Sequence, residues 1–126
     1  MSIITQLPEV VPGCVGAAEN SDGTYRLDFA NGTSRLATDA EVLQAAIASR
    51  VVDLKIEVEQ YIDAGIKPVT RDMLRDGVLS ATVADAVREF IADCYTECNS
   101  TMDAVEAVAV LAEVDDPAPI YPVYGA

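Results

Sequence analysis

The chain has 126 residues, about one domain, with 8 basic and 21 acidic side chains and a formal net charge of −13. This balance argues against a nucleic-acid partner, because affinity for phosphates depends on Lys and Arg, and against an anionic membrane surface as a partner. The sequence contains no histidine, so no catalytic unit that needs an imidazole can form within it. We expect no enzyme, and no catalytic, cofactor-binding or metal site.

The cysteine pattern and the N-terminal sequence bear on the cellular compartment of the protein. Cys14, Cys94 and Cys98 give an odd count, and a spacing of four between the last two is neither a redox motif nor a zinc knuckle. We expect small buried hydrophobic residues in a reducing compartment. The N-terminus lacks the features of a signal peptide, and the chain lacks a membrane-spanning apolar stretch. These patterns predict a cytoplasmic protein, unless it is part of a particle.

The first 24 residues are predicted to form an extended arm. Pro8, Pro12 and three glycines argue against a helix in this segment. Its apolar content favours a strand-like path that lies over another part of an assembly. Asn20-Ser21-Asp22-Gly23 has the composition of a plain turn and lacks the ligand spacing of an EF-hand loop.

A β-hairpin is predicted for residues 25–37. Asn31-Gly32 lies between two runs in which apolar and polar residues alternate, which is a strong signal for a two-residue type I′ turn. Such a loop would place Leu27 opposite Leu36 and Asp28 opposite Arg35. Because an isolated hairpin is marginally stable, it must pack on the following helix or on another chain.

A long helix is predicted for residues 39–64. Thr38-Asp39-Ala40-Glu41 has the sequence of a capping box, and Gly65 suits the C′ position. The helix would be roughly 39 Å long, so it needs a surface to lie against. Its apolar residues follow heptad spacing, at Ile47, Val51, Leu54, Val58 and Tyr61. This seam could pack within the domain or form a coiled-coil interface in a homo-oligomer or hetero-oligomer. The chain is short and has two Phe and no Trp, so its core should be thin, which favours the oligomer.

Shorter helices are predicted to return along the long one as a small bundle. Lys67-Pro68 marks a break, and a short helix over residues 70–76 would end at Gly77. A helix over 83–98 would bury one apolar face, which consists of Val83, Val87, Phe90, Ile91, Cys94 and Cys98. Asn99-Ser100 reads as a stop, and a last helix would cover 101–114.

Residues 115–126 are predicted to form a second extended arm. Three prolines exclude a helix or a central strand and lower the entropy lost on docking. The apolar side chains of this arm are Ile120, Tyr121, Val123 and Tyr124. We expect them to dock across a neighbouring subunit, with the tyrosine rings buried there; the alternative is a solvated tail that nothing orders.

The predicted organisation is therefore mainly α with one N-terminal hairpin (α+β): an arm over 1–24, a hairpin plus helical domain over 25–114 and an arm over 115–126. The segment Tyr25–Glu41, a hairpin that runs directly into a capped helix, resembles small accessory proteins of tailed-phage virions. The resemblance implies a structural role in a tail, fibre, baseplate or head surface, with other virion proteins as partners, and it carries over no functional residue. The alternatives are an assembly chaperone or adaptor for such a component, and a small acidic regulator or enzyme.

Overall fold

The computed structural model describes residues 2–125, and over that range the fold is the predicted mainly helical α+β class. Four α-helices and three strands are present among these residues. They are α1 (Ile3–Val10), β1 (Cys14–Glu19), β2 (Tyr25–Phe29), β3 (Ser34–Leu36), α2 (Asp39–Gly65), α3 (Pro68–Arg75) and α4 (Ala81–Glu106), followed by a 3-10 helix at Leu111–Glu113.

The chain divides into two compact units, which differ from the three predicted segments. The first unit comprises residues up to 53 together with 104–117, and contains α1, the sheet and the first half of α2. The second unit comprises residues 54–103 together with those from 118 onwards.

The predicted extended arm over 1–24 is wrong for residues 3–10, which form α1. Ser2 is the N-cap, and its Oγ accepts a hydrogen bond from Thr5 N at 3.4 Å. Pro8 lies inside the helix, where its fixed φ suits helical backbone and the helix loses one backbone donor. The helix forms because Leu7 and Val11, four residues apart, are buried in the core of the first unit.

Residues 14–19 of the predicted arm form the sheet strand β1. Strands β1, β2 and β3 form an antiparallel sheet in that order, with a bulge in β1 between Cys14 and Gly16. The predicted turn at residues 20–23 connects β1 to β2, with Asn20 N donating to Thr24 O at 2.7 Å. Two prolines and three glycines are therefore compatible with regular structure, because they lie near helix ends, at a bulge or in a turn.

The hairpin between β2 and β3 forms as predicted, but its register differs by one residue. Phe29 N donates to Thr33 O at 2.9 Å and Gly32 N to Phe29 O at 3.0 Å, so three residues, 30–32, form the loop. Among the described residues only glycines have a positive φ, and Gly32 has a φ of 85°. A three-residue loop of this kind needs one left-handed residue, whereas a type I′ turn needs two. Asn31 therefore does not need to adopt the left-handed conformation.

The predicted cross-strand pairs are consequently wrong. Leu27 lies opposite Arg35, and Leu36 lies opposite Arg26. Leu27 is fully buried, while Leu36, on the other face, is 57% exposed. Asp28 lies opposite Ser34, and a shift of one residue exchanges the faces of the whole of β3.

The two turns of the sheet share a sequence motif. Asp22-Gly23-Thr24 and Asn31-Gly32-Thr33 are nine residues apart, and each is followed by one residue and then Arg-Leu. In both turns the side-chain Oδ1 of the first residue accepts hydrogen bonds from the threonine N at 3.0 Å and from its Oγ1 at 2.6 Å. The same local chemistry therefore closes both connections.

The capping box at the start of α2 is confirmed. Glu41 N donates to Thr38 Oγ1 at 3.2 Å, and Thr38 N donates to Glu41 Oε1 at 2.9 Å. Arg35 also donates to both carboxylate oxygens of Glu41, at 2.7 and 2.8 Å, so this arginine pairs with Glu41 and not with Asp28. The hydrogen bonds from Arg35, then those from Thr38, lower the pKa of Glu41 to about 2.

Helix α2 ends at Gly65, as expected, but not through a left-handed cap. Gly65 does not adopt a positive φ, and it is the last residue of the helix. A Cβ built on Gly65 would lie 3.0 Å from Cζ of Phe90. The lack of a side chain therefore allows a close approach of the Phe90 ring.

Two later helix boundaries also differ from prediction. Helix α3 begins at Pro68 instead of residue 70, because the first helical position does not need an N–H. Helix α4 runs through Asn99 and Ser100 to Glu106, so the predicted stop and the separate helix over 101–114 are wrong. Neither residue breaks a helix whose buried stripe continues through Thr101 and Val105.

Candidate interaction surface

The predicted heptad seam on α2 divides into two parts with different surroundings. In the second unit, Leu54 and Val58 are 0% and 2% exposed within this single chain. Cys98 Sγ of α4 donates to the Leu54 carbonyl at 3.6 Å. These two seam residues therefore belong to the core of the second unit. Of the two predicted uses of the seam, this part shows packing within the chain.

In the first unit, Ile47 and Val51 line an open groove of about 480 Å³. Aliphatic side chains from α1 and α2 continue its surface, Gln6 and Gln44 add amide groups, and Glu106 adds a carboxylate. Both seam residues are only half-buried. This half of the seam is an apolar surface that the first unit leaves open.

The tail, which we define as residues 117–125, is without helix or strand from 117 to 123, as predicted, but it is anchored on its own chain. The rings of Tyr61 on α2 and Tyr121 have centroids 4.8 Å apart. Tyr61 also donates its hydroxyl to the Pro122 carbonyl at 2.7 Å. Tyr121 therefore packs on its own chain, against the ring of Tyr61, where the sequence predicted a neighbouring subunit. Helix α2 also supplies the hydrogen-bond donor to the adjacent Pro122.

A second aromatic contact holds the end of the tail. Tyr124 meets Phe90 of α4 edge to face, with ring centroids 5.4 Å apart. Tyr124 thus has an aromatic contact within the chain but stays 37% exposed, so its burial on a neighbour stays a prediction. At the start of the tail, in the first unit, Arg50 donates to the Pro117 carbonyl at 3.1 Å.

Tyr121 also places its hydroxyl in the interior of the second unit. The oxygen is buried and makes no hydrogen bond of normal geometry within residues 2–125; the Cys98 thiol is its polar neighbour. Burial, followed by the proximity of Cys98, raises the pKa of Tyr121. Burial likewise raises the pKa of both thiols on α4, Cys94 and Cys98. All three cysteines are free and buried, as expected.

The remaining two apolar side chains of the tail are exposed. Ile120 is 84% exposed and Val123 is 68% exposed. No charged side chain occurs between Pro117 and Tyr124. The tyrosines thus fix the tail on the second unit, while Ile120 and Val123 are exposed to solvent. We call these two uncharged aliphatic side chains the tail ridge.

A cleft of about 440 Å³, which we call the tail cleft, lies beside the ridge in the second unit. The tail contributes residues 122–125 and α4 contributes Ala86, Glu89, Phe90 and Asp93. From the sequence, Phe90 is predicted to lie in the core, and Glu89 and Asp93 are two of the carboxylates spread over the predicted helices, where they form either solvated helix faces or a match to a basic partner surface. Their spacing of four on a predicted helix was the available signal, since it puts both carboxylates on one face.

Two searches of residues 2–125 complete the description of the chemistry. No group of three or more His, Cys, Asp or Glu side chains in this range is arranged to hold a metal ion. None of the helices in the same range is both long enough and apolar enough to cross a membrane.

Comparison of the chain with family models, with curated proteins and with solved structures finds no match. The function is therefore argued from the residues of this chain alone.

Proposed function

We propose that the protein is a non-catalytic structural subunit of a larger assembly, and that the assembly is a phage particle. The observation that carries the proposal is the tail ridge. Two large aliphatic side chains, Ile120 and Val123, are exposed on a segment that aromatic contacts hold in place. A segment that is already ordered loses little conformational entropy on docking, so a modest apolar contact can contribute net affinity.

Charge supports the same role. A net charge of −13 opposes close approach of other acidic surfaces and favours a basic partner. The tail ridge is uncharged, so it can be desolvated without burying an unpaired carboxylate. The open groove at Ile47 and Val51 offers a further apolar surface in the first unit. The histidine-free composition is in keeping with binding instead of catalysis.

The test is incorporation into particles. Density-gradient-purified virions from cells that express the gene would be assayed for the chain by quantitative mass spectrometry. We expect the wild type to be present at a fixed ratio to the major structural proteins. We expect Ile120→Ser/Val123→Ser to lower that ratio at least fivefold with unchanged helical circular dichroism.

The matched control is Val69→Ser/Val78→Ser, which removes two aliphatic side chains that are 59% and 64% exposed elsewhere in the second unit. It should be incorporated normally. A chain that is abundant in the lysate but missing from particles would contradict the structural role and indicate an assembly chaperone. Equal incorporation of the two double variants would remove the tail ridge as the contact surface.

A further inference from the structure

The tail cleft joins an aromatic wall to an acidic one. Phe90 and Tyr124 contact each other edge to face, with ring centroids 5.4 Å apart. Phe90 is almost completely buried, whereas Tyr124 retains 37% of its surface, so the ring available for a further contact is that of Tyr124. Ala86 and Val123 add aliphatic surface. Aromatic rings with free surface attract cations, and arginine more often than lysine.

The carboxylates of the tail cleft have no basic counterpart among its lining residues. Glu89 and Asp93 are four residues apart on α4, both are exposed, and both line the cleft. The lining contains no Lys or Arg. Arg88, which is next to Glu89 on α4, forms an ion pair with Asp85, with Nη1 of Arg88 3.4 Å from Oδ1 of Asp85. The cleft therefore presents two like charges beside aromatic surface, which a cation bound there would offset.

We propose that the tail cleft binds an arginine side chain of a partner protein, within a segment whose flanking apolar residues pack on the tail ridge. The planar guanidinium suits this cleft because it can stack on an aromatic ring and donate hydrogen bonds to two carboxylates. This inference rests on the proposed function, since it names the chemistry of the partner that the tail ridge would meet.

The experiment uses the whole chain and two defined peptides. Acetyl-Leu-Arg-Leu-amide would be titrated against the isotopically labelled protein while nuclear magnetic resonance spectra are recorded, and the same peptide with citrulline in place of arginine would be titrated in parallel. Citrulline keeps the shape of the side chain and removes its charge. We expect the arginine peptide to shift the resonances of Phe90, Val123 and Tyr124, and the citrulline peptide to bind at least tenfold more weakly.

Paired variants assign the effect to the two carboxylates. Glu89→Gln/Asp93→Asn should weaken binding of the arginine peptide at least tenfold. Asp103→Asn/Glu106→Gln removes the same number of charges from α4 outside the tail cleft and should change binding less than twofold. Circular dichroism of both variants should match the wild type, because all four side chains are exposed.

Equal affinity for the two peptides, shifts that map outside the tail cleft, or equal losses in the two double variants would overturn the proposal. These outcomes are independent of the particle assay. Arginine binding together with absence from particles would leave the tail cleft as a basic-residue site and reject the structural role. Incorporation into particles without arginine selectivity would retain the role and reject the proposed partner chemistry.

Discussion

The two proline-containing ends of the chain have the same predicted conformation and different structures. Residues 3–10 form a helix with Pro8 inside it, and residues 14–19 form a sheet strand. Residues 117–123 form neither. The N-terminal end places Leu7 and Val11 in the core of the first unit, whereas the tail leaves Ile120 and Val123 exposed in the second.

The difference shows that the positions of prolines matter more than their number. Pro8 leaves a helical turn before it intact, and Pro12 precedes Gly13, whose φ is 79°. The tail has Pro117, Pro119 and Pro122. Between these prolines at most two consecutive residues have a backbone N–H, which is too few for helical or ladder hydrogen bonds to propagate. Its order comes from aromatic contacts and from the carbonyl groups of Pro117 and Pro122, which prolines retain.

The largest expected effect contrasts Leu7 with Ile120. Leu7→Ala should lower the free energy of unfolding by about 3 kcal/mol, because it empties a fully buried site. Ile120→Ala should change it by less than about 0.5 kcal/mol, because that side chain is 84% exposed. Urea unfolding followed by circular dichroism measures both. A similar loss in the two variants would show that Ile120 is covered in solution.

These contrasts also show how far the sequence predicted the fold. The capping box at Thr38–Glu41 and the hairpin at Asn31-Gly32 depend on contacts within a few residues, and both are confirmed. The predicted end of α2 near Gly65 is also confirmed, although Gly65 contacts Phe90 and does not form the predicted left-handed cap. The register of β3 was wrong because a three-residue loop and a two-residue loop share the Asn-Gly signal. Predicting α1 would have required weighing the spacing of Leu7 and Val11 above the presence of Pro8.

The candidate surface was predictable in part. Ile120 and Val123 follow from the apolar content of the tail. The anchoring of Tyr121 by Tyr61, 60 residues earlier in the chain, is a tertiary contact that no local pattern encodes. The same applies to the tail cleft, since Glu89 and Asp93 acquire a neighbouring aromatic wall only when Tyr124 returns to Phe90.

The second prediction releases the tail. Tyr121→Ala should lower the free energy of unfolding by about 2 kcal/mol, through lost burial and the lost aromatic contact with Tyr61. It should also expose Tyr124 to rapid cleavage by chymotrypsin. Tyr121→Phe keeps the ring and removes a buried hydroxyl that makes no hydrogen bond of normal geometry among residues 2–125, so its stability should equal or exceed that of the wild type. A loss above about 1 kcal/mol in Tyr121→Phe would instead indicate a hydrogen bond to Cys98 in solution.

The third prediction separates the two regions by acid. Glu41 has a folded-state pKa of about 2, below its ordinary value of 4.5. A lowered pKa contributes stability that is present above the unfolded value and is lost as the pH falls from about 4.5 towards 2. Hydrogen bonds from Thr24, and from Arg26 and Ser34, also lower the pKa of Asp22 and of Asp28 in the same unit.

Acid between pH 4.5 and 2 should therefore loosen the sheet region while the aromatic anchors of the tail persist. Amide resonances of β3 and the start of α2 should broaden before those of Tyr121 and its neighbours. In Glu41→Gln, stability at neutral pH should fall by about 1 kcal/mol, and the acid dependence should flatten. If the resonances of the tail broaden before those of β3, the tail and not the sheet region is the acid-sensitive part of the chain.

The smallest expected effect concerns the cap that allows α1 to form at a proline-containing end. Ser2 Oγ accepts a hydrogen bond from Thr5 N at an exposed site, so Ser2→Ala should cost about 0.5 kcal/mol. Amide exchange at Thr5 should quicken severalfold, while exchange in β2 stays unchanged. Ser2→Asp is the control, because an aspartate caps the helix equally well and its charge is favourable at a helix N-terminus. If Ser2→Ala and Ser2→Asp exchange at the same rate, burial of Leu7 and Val11 is sufficient to hold α1 without a cap, and the contrast with the tail then depends on apolar packing alone.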